Sequence, residues 1–200
     1  MVVRGPGMSL RYAGPGDAQA LFELASDEEV TRFFSWGPYR DPSEPLRYIE
    51  SLGPARERGE RLEFLIAGPD DRPLGVTGLS DFSPRDRRAT VGTWLGREHW
   101  GTGVNRESKA LILALGFRRL GLIRATALAS PDNPRSIAAL ERLGFVREGV
   151  LGSWHVHHGE RRDVAILRLL REDFEAGPLA AVPVEFEGDL PQAFTPSGRT

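Results

Sequence analysis

The chain has 200 residues, 40% hydrophobic and 27% charged, proportions ordinary for a soluble globular fold with one substantial core. Its formal net charge of −2 gives no general pull toward nucleic acid, and no stretch approaches the ~20 apolar residues of a membrane span. The absence of cysteine excludes disulfides, a cysteine nucleophile and thiolate metal sites, and is compatible with a cytoplasmic protein.

Met1–Gly7 reads as a loose leader, and Ser9–Ala13 as a short first strand. Pro15-Gly16-Asp17 opens a helix whose apolar face is Ala20, Leu21, Leu24 and Ala25. Val30–Tyr39 is apolar and aromatic: either core packed under a loop or a wall of a substrate pocket. Asp41-Pro42-Ser43-Glu44 starts a second helix, which Gly53-Pro54 should interrupt. Leu62–Ala67 and Leu74–Phe82 form an antiparallel hairpin, and Ala89–Leu95 is a further strand. A main helix follows over Asn105–Leu120, then a strand over Ile123–Ala129. Asn133 is a good N-cap with Pro134 at the first helical position, and Gly144 ends that helix. Val146–Trp154 and Arg162–Leu169 close the pattern as two strands. Residues 172–200, rich in proline and glycine, read as a disordered tail, or as a docking arm if the alternation of Val182, Val184 and Phe186 makes a short strand.

The most informative stretch is Trp94–Ala114, a strand, a Gly101-Thr102-Gly103 turn and a helix. Two glycines let consecutive N–H groups converge on one anion, and the helix start adds free N–H groups and a positive dipole end. A P-loop requires Gly-Lys-Ser/Thr, but Val104-Asn105 follows Gly103; a dinucleotide fingerprint requires a third glycine where Arg106 stands. The run from Trp100 to Asn105 instead resembles the Q/R-x-x-G-x-G/A pyrophosphate loop of the GNAT acyl-CoA-dependent N-acetyltransferases. Trp100 takes the Q/R position and Asn105 the final small one, as in the RimJ/RimL-like branch. Downstream, Asn133-Pro134-Arg135-Ser136 followed by Gly144-Phe145 resembles the N-x-x-S…G-F helix of that branch.

The resemblance implies an α/β (α+β) fold over residues 8–171: a GNAT-like twisted mixed sheet, mostly antiparallel with a splayed parallel pair, flanked by helices. It implies acetyl-CoA as co-substrate and a primary amine as acceptor, a protein N-terminus or a small molecule, without metal, and leaves room for a homodimer. The pantetheine would pair with the strand edge at Thr93, Trp94 and Leu95, and the pyrophosphate would sit on Trp100, Gly101, Thr102, Gly103, Val104 and Asn105. Asn133 would hold the cofactor arm, Arg142 would help with its phosphates, and Ser136 would protonate the leaving thiolate. The tyrosine acid common in the wider family is absent: Leu140 stands in its place, and Tyr12, Tyr39 and Tyr48 lie far upstream.

The amine must be neutral to attack. At pH 7, deprotonation costs about 4.6 kcal/mol for a lysine side chain but about 1.1 kcal/mol for an α-amine. No base stands out among Asp81, Glu148 and Asp163, each of which suits a structural role. His155, His157 and His158 lack a carboxylate or cysteine at ligand spacing, so they read as a surface hairpin cluster or as lining of the acceptor cleft. Arginine supplies 25 of the 26 basic residues; the single lysine, Lys109, reads as part of that compositional habit. A non-catalytic acyl-CoA-binding module is the rival from a different class.

Overall fold

A computed structural model describes residues 1–157 and 159–195. In chain order the elements are β1 (Val2–Arg4), β2 (Ser9–Arg11), α1 (Ala18–Ala25), α2 (Glu28–Thr31), α3 (Ser43–Glu57), β3 (Arg61–Ala67), β4 (Pro73–Ser83) and β5 (Arg88–Leu95). Then come α4 (Val104–Ala114), β6 (Arg124–Ala129), α5 (Pro134–Arg142), β7 (Val146–His157), β8 (Glu160–Leu170), α6 (Arg171–Ala176) and β9 (Glu185–Glu187). The strands form one sheet in the order β7-β8-β6-β5-β4-β3-β2-β1-β9. Every neighbouring pair is antiparallel except β5 and β6.

That parallel pair holds the key to the site. Its register covers only Arg88–Thr90 against Arg124–Thr126, after which the strands part. Residues 91–95 therefore keep an unpaired edge on the β6 side, while their other edge stays bonded to β4. The splay that the family resemblance implied is present.

Side-chain alternation divides the molecule into layers. Leu62, Phe64 and Ile66 of β3, with Ala89, Val91 and Leu95 of β5, join the main core, which α4 fills with Ala110–Ala114 and α5 with Ile137 and Leu140. Leu65, Ala67 and Val76 point the other way, against Leu21 of α1 and Ile49 of α3, with Trp94 packed on them.

The structure corrects three expectations. The leader is a strand: β1 pairs with β2 and β9, and Val3 is fully buried. The second helix runs through Gly53-Pro54 to Glu57. Its packing face continues past the break, with Leu52 and Ala55 buried and Arg56 over the Tyr12 ring, and that burial outweighs the ~3 kcal/mol helix cost of proline. The main helix is α-helical only to Ala114 and ends in a π-helical turn over Leu115–Arg119. Residues 172–195, read as a disordered tail or a docking arm, lie against the sheet: β9 extends it, Phe174 and Leu179 are buried in the main core, and Phe194 meets Phe82 edge-on at 4.9 Å. Pro196 and Gly198 lie outside the described residues.

Candidate active site

The Gly101-Thr102-Gly103 turn is set by backbone conformation. Gly101 and Gly103 have φ of +78° and +96°, and a Cβ on either would meet nothing within 4 Å, so conformation and not space demands glycine. Gly103 is the N-cap of α4, so the first N–H groups of that helix lack intrahelical partners. Trp100 fastens the loop from below: its indole N–H donates to the Leu95 carbonyl at 3.1 Å, and the Arg135 guanidinium lies 3.5 Å above its ring. The residue at the Q/R position is thus a structural rivet between β5, the loop and α5.

Helix α5 begins as its sequence dictates. Asn133 Oδ1 accepts from the Ser136 N–H at 3.1 Å, and Pro134 occupies the first turn. The cap uses only the side-chain oxygen, leaving the amide N–H groups of Asn133 able to donate to a ligand. The Ser136 hydroxyl, half-buried one turn in, has no protein partner among the described residues.

These parts surround one cleft of about 1570 Å³. Thr93, Trp94, Leu95, Trp100, Gly101, Gly103, Asn105, Asn133, Ser136 and Arg142 all line it. Thr102 and Val104 do not line it among the described residues: the Thr102 hydroxyl turns to the His99 carbonyl at 2.8 Å, and Val104 packs on the main core. Leu140, in the place of the family tyrosine, is buried and offers only apolar surface.

A second cavity of about 490 Å³ adjoins the first, sharing Phe34, Trp36 and Gly92–Trp94 with it. Its walls include Tyr39, Tyr48 and Glu63. Trp36 stacks on Phe34 at 5.3 Å, tilts against Tyr39 at 5.4 Å and meets Trp94 edge-on at 5.6 Å, so the Val30–Tyr39 segment is both packed cluster and pocket wall. Tyr48 donates to Glu63 at 2.7 Å. Burial raises the phenol of Tyr39 to about 12 and that of Tyr48 further, so both stay neutral at physiological pH.

The carboxylates weighed from sequence serve elsewhere. Glu148 is ion-paired with Arg124, whose hydrogen bond and charge hold its carboxyl below the usual range, and Arg168 adds to the effect. Asp163 lines the cleft and accepts from the Ser153 N–H at 2.7 Å, and Asp81 is an exposed residue in an irregular part of β4. His155 and His157 stack at 5.1 Å and line the far end of the same cleft. Among the described residues no group of three or more histidines, cysteines or carboxylates could hold a metal, and His158 lies outside them. No helix among the described residues is long and apolar enough to cross a membrane.

Sequence reasoning missed Lys109. It lines the cleft yet is 4% exposed, and its amine donates to Thr93 Oγ1, which in turn meets Thr77 Oγ1 at 2.6 Å. Desolvation alone lowers its pKa to about 7. The available signal was a lone lysine, in an arginine-rich chain, beside the apolar run Ala110–Ala114.

Comparison with known proteins agrees with this geometry. A family profile described as "Acetyltransferase (GNAT) domain" matches residues 8–146. An N-acetyltransferase named p20 from Bacillus licheniformis is 31% identical over 168 residues, covering 84% of this chain and 94% of its own. The [Ribosomal protein uS5]-alanine N-acetyltransferase of Escherichia coli is 28% identical over 149 residues, 71% of this chain and 77% of its own. In fold, the chain is similar to spermidine N-acetyltransferase from Vibrio cholerae in complex with CoA and spermine (TM-score 0.71, 22% identity, 84% and 97% of the two chains). With the profile spanning well over half the chain and a splayed strand pair opening beside a glycine turn, the chain belongs to the GNAT family of acetyl-CoA-dependent N-acetyltransferases.

Proposed function

We propose that this enzyme acetylates a protein N-terminal α-amine by direct attack on the thioester of acetyl-CoA. The observation that carries the reading is the junction of the two cavities at Gly92–Trp94, where the free strand edge meets an aromatic chamber. The pantetheine pairs with the edge at Thr93–Leu95, the pyrophosphate lies on the Gly101–Asn105 turn with Arg142 nearby, and the Asn133 amide holds the arm. The acceptor enters the aromatic chamber. As its nitrogen bonds to the carbonyl carbon, the carbon–sulfur bond breaks and the amine proton leaves to water, while Ser136 passes its proton to the thiolate and takes one back from water.

Charge in the chamber favours a peptide end over a polyamine. Glu44 and Glu63 are balanced by Arg47 and Arg61, and the remaining walls are uncharged, with Phe34, Trp36, Tyr39, Tyr48 and Trp94 supplying the aromatic faces. A polycation calls for a net acidic lining, whereas an α-amine with a small first side chain does not. The name of the uS5-alanine relative supports the same class, and that of the spermidine enzyme keeps small amines as the second reading.

The test is thiol release from acetyl-CoA with peptides bearing free N-termini, the same peptides blocked, and small amines including spermidine. Release with free but not blocked peptides is expected. Release with small amines alone would overturn the protein-acceptor assignment.

A further inference from the structure

We infer that Lys109 is a proton-linked contact for the cofactor: its buried amine, with a single protein acceptor on the cleft wall, takes up a proton when the phosphates of CoA enter the cleft. The inference rests on the cofactor placement proposed above.

The geometry starts from the helix. Lys109 lies in the second turn of α4, and a helical side chain leans back toward the N-terminal end. That end carries Gly103 and the open N–H groups. The amine is anchored on Thr93, two residues before the Leu95 carbonyl that holds the Trp100 indole. It thus lies on the wall of the same cleft as Gly103, Asn105 and Arg106.

Its bonding is incomplete. An ammonium has three donors, yet the hydroxyl of Thr93 is its one protein partner among the described residues. Thr93 and Thr77 also have the Gly92 carbonyl within 2.8 and 3.0 Å, so the chain of hydroxyls ends on backbone and never on a carboxylate. The strands packed on α4 bring no counter-charge. Arg4 of β1 and Arg11 of β2 are engaged with Glu187 and with Asp17 and Asp71, while Asp81 of β4 and Arg88 of β5 stand well along their strands from Thr77 and Thr93. On α4 itself, Glu107 accepts from the Gly7 N–H and Arg106 donates to the Pro178 carbonyl. Elsewhere on the cleft, Glu28, Glu29, Arg32, Asp132, Arg135, Arg142, His155, His157, Arg162 and Asp163 line the walls without shifting the amine; burial is the only cause.

A buried amine short of acceptors should respond strongly to an arriving anion. An arginine there would remain charged at every accessible pH. In a chain that otherwise uses arginine throughout, lysine is the basic side chain able to shed its proton on burial and regain it beside phosphate.

The experiment is calorimetric titration of CoA and of dephospho-CoA into the full chain at pH 8, in buffers of differing ionisation enthalpy. Dephospho-CoA removes the 3′-phosphate, which titrates near neutrality itself. Wild-type protein is expected to take up roughly half a proton or more with both ligands, and Lys109→Met and Lys109→Arg none with dephospho-CoA. Affinity of the wild type should fall between pH 7.5 and 9, while both variants stay flat and the methionine variant binds about tenfold more weakly at pH 7.5. Lys109→Met replaces the amine with an apolar chain of similar length, so it should fold, and the arginine variant provides a permanently charged control. Zero uptake or release of protons by the wild type, or the same uptake in Lys109→Met, would overturn the inference while leaving the cofactor placement intact. Absence of binding by wild-type protein would overturn both.

Discussion

The guanidinium of Arg135 rests 3.5 Å above the indole of Trp100, tying the first turn of α5 to the glycine loop across the cleft. Such a contact contributes about 0.5–2 kcal/mol, and the indole's bond to the Leu95 carbonyl about 1 kcal/mol. Trp100→Phe should keep the stack, lose the hydrogen bond and weaken CoA about fivefold. Trp100→Ala loses both and should weaken it by more than tenfold. Calorimetric affinities would test this; equal binding by all three proteins would show that the loop holds its shape without the rivet.

Ser136 supplies a hydroxyl with no protein partner, beside an N-cap that does not need its side chain. Ser136→Ala should leave CoA affinity within twofold and stability within about 0.5 kcal/mol. Turnover with the accepted amine should fall about 10²-fold if the hydroxyl protonates the thiolate. Steady-state kinetics alongside CoA titration separates the two effects, and unchanged turnover would remove Ser136 from the chemistry.

Lys109 also makes stability depend on pH. Its folded value of about 7 lies below the ~10.4 of an unfolded lysine, so between those values the unfolded chain binds more protons. Stability from this group therefore rises with pH across that window, and below about 7 the penalty is full. Lys109→Met should be the more stable protein at pH 6–7, by on the order of a few kcal/mol, with the gap closing toward pH 10. Urea midpoints of both proteins from pH 6 to 9.5 test this, and a gap independent of pH would contradict it.

Phe194 tests whether residues 172–195 belong to the fold. It is 8% exposed and meets Phe82 edge-on. Phe194→Ala should cost about 3–5 kcal/mol, as for other buried aromatics. A loss below about 0.5 kcal/mol on chemical denaturation would mean that the segment is a dispensable cover.

What could be read in the sequence was what short-range chemistry enforces. The turn at Gly101 and Gly103 needs left-handed backbone, and the Asn133-Pro134 start of α5 is a capping pattern; both are encoded within a few residues. The splayed pair came from the family resemblance carried by the glycine turn and the Asn133 helix, not from the order of strands and helices. The failures share one cause, which is that distant partners decide them. Gly53-Pro54 looks like a break until Ala55 is buried and Arg56 reaches the Tyr12 ring, and Val2–Arg4 looks loose until residues 185–187 pair with it. Lys109 looked like one basic residue among many, because burial under Thr93 and Thr77 is a property of the assembled layers. The second cavity was half-visible: the aromatics of Val30–Tyr39 could be seen, but not Tyr48 and Glu63 among its walls.

Strand β1 lies between β2, its neighbour in sequence, and β9, which pairs Val2 with Glu187. During synthesis at ordinary rates, roughly ten to forty seconds separate the emergence of those two partners. Throughout that interval the β1 edge is a row of unsatisfied N–H and C=O groups, open to any extended chain. The nascent protein thus passes through a stage in which a neighbouring chain's strand can take the place of β9. Yield on expression should be sensitive to anything that lengthens the wait, such as slow codons between β8 and β9, even though the finished enzyme would be identical.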